Sequence, residues 1–334
     1  MEVDLAFIWA GLIAFAVLAY VVLDGFDLGV GILFPFMREE AEKDLAMNTV
    51  APVWDGNETW LVLGGGGLFA VFPLAYAIIM PALYVPIIVM LLALTFRGVA
   101  FEFRWRTQRG KFLWDLSFFG GSFVASFAQG VALGALVQGI AIEGRAYGGG
   151  NWDWLTPFSI LTGLALVAGY ALLGATWLVL KTDGSVRRVA RKLAWGAGAA
   201  TLALVGLVSV ITPFLNPLYL DRWFTFPNAL FSAFVPAAIL IAAFVFQKGL
   251  RENRDASPFL AAQALFVLCF IGLGISFYPY MVPPTLTIWD AAAPDESLWF
   301  LLVGALVLVP LILAYTGYAY WVFRGKVNPA EGYH

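Results

Sequence analysis

A chain of 334 residues with 61% hydrophobic and only 12% charged side chains carries about half the charge of an ordinary soluble domain, where roughly a quarter of residues are charged, so water is not its main solvent. The net charge of −3 comes without a basic stripe, which argues against a nucleic-acid partner, and the single cysteine, Cys269, excludes an internal disulfide. The one histidine is the terminal His334, expected in a disordered tail, so the pattern lacks the paired ligands of a zinc, copper or bis-histidine haem site. Neither a metal site nor a haem ligand is expected on this chain.

Met1 to Asp4 holds Glu2 and Asp4 and no basic residue, and the apolar run from Leu5 is longer than a signal-peptide core, which predicts a retained helix. A hydrocarbon core about 30 Å thick needs roughly 20 apolar helical residues. Nine stretches qualify: Leu5 to Phe36, Val50 to Phe72, Leu74 to Phe103, Trp114 to Ile142, Pro157 to Leu180, Val189 to Pro213, Ala229 to Phe246, Pro258 to Tyr278 and Leu298 to Phe323. The expected fold is all-α and membrane-integral, in one transmembrane domain over 1–334, with a first bundle over 5–142 and the remaining helices over 157–323. No connection is long enough for a soluble domain.

Lys and Arg accumulate on the cytoplasmic side of membrane proteins. With the N-terminus outside, the inner segments hold sixteen basic residues: Arg38 and Lys43; Arg104, Arg106, Arg109 and Lys111; Lys181, Arg187, Arg188, Arg191 and Lys192; Lys248, Arg251 and Arg254; Arg324 and Lys326. The outer segments hold only Arg145 and Arg222, and Arg97 is left within a span. One helix more or fewer would scramble this alternation, so nine spans with a cytoplasmic C-terminus are expected.

An ionised side chain at mid-bilayer costs roughly 2.5 to 3.5 kcal/mol on insertion scales, so each one present calls for a reason. The first span carries LDGFDLG, where Asp24 falls 19 residues after Leu5, roughly 28 Å along the helix, with Asp27 at i+3 on the same face. Gly25 and Gly29 form a G-x-x-x-G pattern that lets a neighbouring helix approach closely. The second span opens with APVWDGNETW, which puts Asp55 and Glu58 in its first turns on one face, near a helix N-terminus that attracts negative charge. Arg97 in the third span, Glu102, and Asp115 at the start of the fourth complete the set, so four antiparallel helices are expected to present these charges at one level.

The outer halves tell the opposite story: Gly64 to Phe72 and Ala77 to Met90 contain no charged side chain. A half-channel from the cytoplasm to a site outside this chain fits that asymmetry, whereas a carrier needs polar groups in both halves. Position alone fits duller readings equally well. Asp55, Glu58 and Asp115 suit capping or interfacial solvation, and Arg97 suits a structural pair with Asp24 or Asp27. Asp24 with Asp27 is harder to explain away, because two carboxylates on one face repel unless one is protonated or a cation intervenes. The Gly64 to Gly67 run reads as helix packing, since no Lys-Ser or Lys-Thr follows it. Trp152, Trp154, Trp223, Trp289 and Trp299 fall near span ends as interfacial anchors, and Gln129 and Gln138 are placed to hydrogen-bond another helix.

LDGFDLG in the first span and WDGNETW in the second, with LTFRGVAFEFR in the third and WDLSFFGGSF in the fourth, resemble subunit II of cytochrome bd quinol oxidases, the cyanide-insensitive branch included, over essentially the whole chain. The resemblance implies a bacterial inner-membrane complex of the aerobic respiratory chain that oxidises quinol and reduces dioxygen to water. Two b-type haems and a haem d would belong to subunit I, the heterodimer partner, and none to this chain. The implied fold is two four-helix bundles plus a peripheral helix, paired pseudosymmetrically with subunit I. By position, Asp55 of the W-D-G-N motif would lie on a proton inlet between the subunits, joined by Asp24, Asp27, Glu58, Arg97 and Asp115. Gly25, Gly29, Trp54, Gly56 and Asn57 would serve the motifs and inter-subunit packing, and Trp60 an oxygen route. Glu58 departs from relatives that carry Gln. Membrane lipid, a structural quinone and a small accessory subunit are further partners compatible with the resemblance. The rival readings are a stand-alone proton-coupled secondary transporter, with Asp24, Asp27 and Arg97 as its coupling site, and a purely structural assembly partner.

Overall fold

The computed structural model describes residues 3–328, so His334 and Met1 lie outside the described residues. In lipid a backbone must satisfy its own hydrogen bonds, and an apolar chain does so by becoming helical. The helices are α1 (Leu5–Leu33), α2 (Glu40–Asn48), α3 (Trp54–Val71), α4 (Pro73–Ala82), α5 (Tyr84–Arg106), α6 (Lys111–Gln138), α7 (Pro157–Lys181), α8 (Gly184–Ile211), α9 (Pro217–Phe224), α10 (Asn228–Arg251), α11 (Ala256–Phe277), α12 (Ile288–Ala291) and α13 (Asp295–Val322). Two short antiparallel hairpins, β1–β2 (Ile142–Glu143, Ala146–Tyr147) and β3–β4 (Tyr280–Val282, Leu286–Thr287), sit in the long connections.

Local chemistry sets the ends. The Asp4 carboxylate accepts from the Phe7 amide at 2.9 Å and caps α1. Thr156 and Ser159 close a reciprocal capping box on α7, with Pro157 at the first helical position. Gly110, at φ +83°, makes the left-handed turn that starts α6.

Eight of the described helices are both long and apolar enough to cross a membrane. The second of the nine expected spans is α3, whose 18 residues include Asp55, Asn57, Glu58 and four successive glycines, and which is too polar to join that group. The third expected span, Leu74 to Phe103, is not one helix. It breaks at Leu83 (φ −110°, ψ 20°) between α4 and α5, because Pro86 brings no amide to the Ala82 carbonyl and its ring crowds that turn. The amphipathic α2 and the short α9 were not foreseen; both lie in connections rather than spans.

α1, α3, α5 and α6 pack as one group, with α7 laid against α1 and α6; α8 and α11 pack on α7, α10 on α11, and α13 rests on α1 and α3. The α1–α7 crossing is where the G-x-x-x-G pattern acts. A Cβ on Gly29 would lie 1.9 Å from the Tyr170 carbonyl oxygen and 2.6 Å from the Gly174 nitrogen, and one on Gly25 would lie 2.8 Å from the Tyr170 ring. Only bare backbone fits there.

The basic connections meet at one end of the molecule. Lys326 bridges Asp183 (2.5 Å) and Asp255 (3.0 Å), and Arg187 pairs with Asp255. The Val327 amide donates to the Lys181 carbonyl at 2.9 Å, while Lys181 reaches the Phe323 carbonyl, so the segment after α13 is strapped across α7. At the opposite end Trp289 donates to Asp4 at 2.9 Å and Trp9 to the Leu298 carbonyl at 3.1 Å.

Candidate functional site

Where α1, α3 and α5 meet, ionisable side chains are sealed from the surface. Asp24, Asp27 and Arg97 are each 0% exposed. Arg97 reaches Asp24 through Nη2 at 3.2 Å and Glu58 through Nη1. Glu58 keeps 23% of its side chain exposed and thereby connects the buried pair to the flank of α3. Asn57, its chain neighbour, turns inward: its Nδ2 donates to Asp27 at 2.6 Å and to the Leu23 carbonyl at 3.3 Å, and its Oδ1 accepts from the Tyr320 hydroxyl of α13 at 2.9 Å. Three atoms of this cluster have no protein partner, Asp24 Oδ2, Asp27 Oδ1 and Arg97 Nε.

The guanidinium of Arg97 also lies over aromatic rings, 5.9 Å from Trp54 and 5.6 Å from Phe101, which stack on each other at 4.7 Å. Phe101 meets Phe118 at 5.1 Å, and Phe118 meets Phe34 at 5.0 Å. Beyond this aromatic layer lies a second charged group. Arg104, also 0% exposed, donates to Asp115 (2.6 Å), Asp44 (2.6 Å) and Glu40 (3.2 Å), and Lys43 joins Asp115 at 2.6 Å. Lys111 closes the network on Glu40 at 3.0 Å. Arg97 and Arg104 are two turns apart on one face of α5, about 10 Å along the axis.

The single level expected from the sequence is therefore two layers. Asp24, Asp27, Glu58 and Arg97 come together; Asp115 belongs to the Arg104 layer instead. Asp55 stands on the exposed face of α3, outside both, and Glu102 pairs with Arg106 at 3.9 Å on the surface. For Asp115 the depth expected from the sequence is wrong by one layer, and for Asp55 and Glu102 the direction of the side chain around the helix axis is what differs. Gly56 meets no atom of the chain within 4 Å of where a Cβ would stand, so it packs nothing internally. Trp60 is 1% exposed, edge-on to Phe15 at 5.7 Å, with its indole nitrogen unpartnered.

Sequence reasoning missed the Arg104 layer, although its spacing of seven from Arg97 signalled a shared face. It placed Gln129 to hydrogen-bond another helix, as the structure shows, but did not identify the partners. The Gln129 side chain joins two tyrosines of other helices: Nε2 donates to the Tyr20 hydroxyl at 2.6 Å, and Oε1 accepts from the Tyr170 hydroxyl at 3.0 Å. Among the described residues there is no histidine and no group of three His, Cys, Asp or Glu side chains that could hold a metal ion.

Fold and site define the chain as a multi-pass α-helical membrane protein with an acidic–guanidinium cluster sealed inside its first group of helices. The chain belongs to the cytochrome bd terminal oxidase subunit II family, which it matches over residues 5–323. It is 32% identical over 364 residues to cytochrome bd-I ubiquinol oxidase subunit 2 of Escherichia coli (strain K12), covering 98% of this chain and 96% of that one. It is 30% identical over 335 residues to cytochrome bd ubiquinol oxidase subunit 2 of Bacillus subtilis (strain 168), covering 97% of each. Among solved structures, a chain of the bd oxidase from Geobacillus thermodenitrificans shares the fold at a TM-score of 0.78 and 18% identity, over 96% of this chain and 99% of that one. The chain is thus a subunit of a bd-type quinol oxidase, a complex of haem-bearing kind, and these comparisons lend the stand-alone transporter no support.

Proposed function

We propose that this chain is the haem-free subunit of the oxidase, paired with a haem-bearing subunit I in the bacterial inner membrane, and that its buried acidic cluster passes protons from the cytoplasm toward the dioxygen-reducing centre in that partner. The positive-inside rule supports placing the end that gathers Lys43, Lys181, Arg187 and Lys326 in the cytoplasm, which sets α1 with its first residue outside. The observation that carries the proton reading is the stoichiometry of the sealed cluster, three carboxyl groups around the single guanidinium of Arg97. One guanidinium offsets one negative charge, and a second uncompensated carboxylate in a water-poor interior is costly. Such a cluster lowers its energy by binding a proton, and Glu58, its part-exposed member, can exchange that proton with the flank of α3.

The unpartnered oxygens Asp24 Oδ2 and Asp27 Oδ1 suit bridging waters, the usual partners of buried polar atoms. Asp55, on the exposed face one turn before Glu58, would extend the route along the surface of subunit I. The aromatic layer of Trp54, Phe101, Phe118 and Phe34 blocks a direct path through the bundle from the Arg104 layer, which favours an inlet along the flank. Quinol and dioxygen are substrates of the complex, and this chain's share of the work is charge movement: carrying one charge against 100 mV takes about 2.3 kcal/mol.

The test is Asp24→Asn and Asp27→Asn in the co-expressed complex, each isosteric with the residue it replaces. Quinol-driven oxygen consumption is expected to fall by about 10²-fold, the lower range for loss of a positioned proton-transfer group, with haem content per protein unchanged. Undiminished oxygen consumption in both variants at full haem content overturns the proposal. Loss of complex and haems together supports the purely structural reading instead. Asp55→Asn is expected to slow respiration with haems retained, and normal respiration removes Asp55 from the route.

A further inference from the structure

The acidic cluster does not end at Asp24. Tyr20 precedes Asp24 by one turn of α1, on the same face, and Asp24 Oδ2 has no hydrogen-bond partner in the protein. Tyr20 is 3% exposed and Tyr170 is 0% exposed, and Gln129 on α6 spans the gap between them. The side chains come from three helices, α1, α6 and α7, in a region where the sequence shows only apolar and neutral residues.

The chain of hydrogen bonds has a direction. A hydroxyl has one proton and a carboxamide has distinct donor and acceptor ends. Tyr170 gives its proton to Gln129 Oε1, and Gln129 Nε2 gives one to the Tyr20 oxygen, so the Tyr20 proton is left over. Asp24 Oδ2 is the carboxyl oxygen that Arg97 does not reach, since Arg97 binds Oδ1. Both donations run from Tyr170 toward Tyr20, which leaves the Tyr20 proton free on the face of α1 that carries Asp24, and a series so polarised strengthens each of its members. Gly25 makes the arrangement sterically possible, because any Cβ there would strike the Tyr170 ring.

We propose that Tyr20, Gln129 and Tyr170 form a directed hydrogen-bond relay that positions Asp24 within the cluster and closes the end of the cluster away from the cytoplasm. Helix-to-helix adhesion alone would not require the donors to run one way, nor the last hydroxyl to stand one turn from a sealed carboxyl that has a free oxygen. The three are positioning residues, acting on the proton route through Asp24. An amide does not readily conduct protons, so the relay holds the last carboxyl in place without prolonging the route toward the opposite end. This inference rests on the proton role proposed above for the cluster.

The test uses the purified two-subunit complex with quinol and dioxygen. It compares Tyr20→Phe, Gln129→Met and, as a reference, Asp24→Asn in turnover number, KM for quinol, solvent deuterium isotope effect and haem spectrum. Tyr20→Phe and Gln129→Met are each expected to lower turnover by about tenfold, the change that corresponds to about 1.4 kcal/mol of barrier. KM and haem content stay as in the parent and the isotope effect rises, because proton delivery now limits turnover; a merely structural role would not move the isotope effect. If both variants keep the parental turnover and isotope effect while Asp24→Asn is slow, the relay is refuted and the proton role of the cluster stands. If Asp24→Asn is also unaffected, the proton role falls and the relay with it. Should Tyr20→Phe fail to assemble, Gln129→Met decides, since it leaves both tyrosines in place and removes only the amide that orients them.

Discussion

Two glycines of the LDGFDLG motif determine whether the site can exist at all. Gly29 lets α1 and α7 touch backbone to backbone, and Gly25 makes room for the Tyr170 ring beside Asp24. Gly29→Ala inserts a methyl 1.9 Å from a backbone oxygen that no rotamer change can move. Overpacking of this kind costs about 1 to 3 kcal/mol or more, so the variant is expected to lose most assembled complex, measured as haem absorbance per milligram of membrane protein. Gly206→Ala on α8 meets nothing within 4 Å and is expected to fall within about 0.5 kcal/mol of the parent in the same assay. At this scale the sequence was partly legible. Asp24, Asp27 and Arg97 announced themselves because charge in an apolar run is expensive. Tyr20 did not, because a neutral polar side chain in a span carries no such signal, and its partner Gln129 lies 109 residues away.

Elements at the basic end act as fasteners. The residues after α13 are tied across α7, α8 and the start of α11 by Lys181, Lys326 and Asp255. Partial burial pushes the Asp255 carboxyl up, but hydrogen bonds from Lys326 and Arg187 outweigh it and hold the group below the ordinary carboxylate range. A carboxyl depressed by folding stabilises the folded form above its unfolded value, near 3.9, and the contribution is lost as pH falls through the folded value. The Val327 amide, which donates to Lys181, is therefore expected to keep its hydrogen-exchange protection at neutral pH and lose part of it below about pH 4. Asp255→Asn should show the reduced protection at neutral pH already; equal protection in the variant would mean that Lys181 and the Lys326–Asp183 pair hold the strap without Asp255. Helix existence was readable from apolar runs, whereas the break at Leu83 and the fold of α2 were not. Pro81 and Pro86 stood in view, but a proline inside a span can kink a helix or end it, and packing chooses between the two.

On the scale of the whole molecule, the alternation of basic connections is physically realised as one ion-paired end. A fluorescent reporter fused after residue 328 is expected to fluoresce in the cytoplasm, and alkaline phosphatase inserted at 148–150, between β2 and α7, is expected to be active outside. Activity of the two reporters on the opposite sides would invert the proposed route. The gathering of the basic connections at one end was legible because it is written in composition. The separation into two charge layers was not, since it depends on four aromatic rings from α3, α5, α6 and the turn after α1 meeting in space.

The flank of α3 has a further consequence for the life of the subunit. Asp55 and Thr59 are exposed and Glu58 is open by about a quarter, all along one helix of a protein otherwise dressed for lipid. A copy that has not met its partner would show hydrocarbon a strip of groups that hydrocarbon rejects. In the pairing proposed above, with subunit I against this flank, an orphan subunit carries a visible fault that pairing erases, which gives membrane proteases a chemical basis for removing surplus copies.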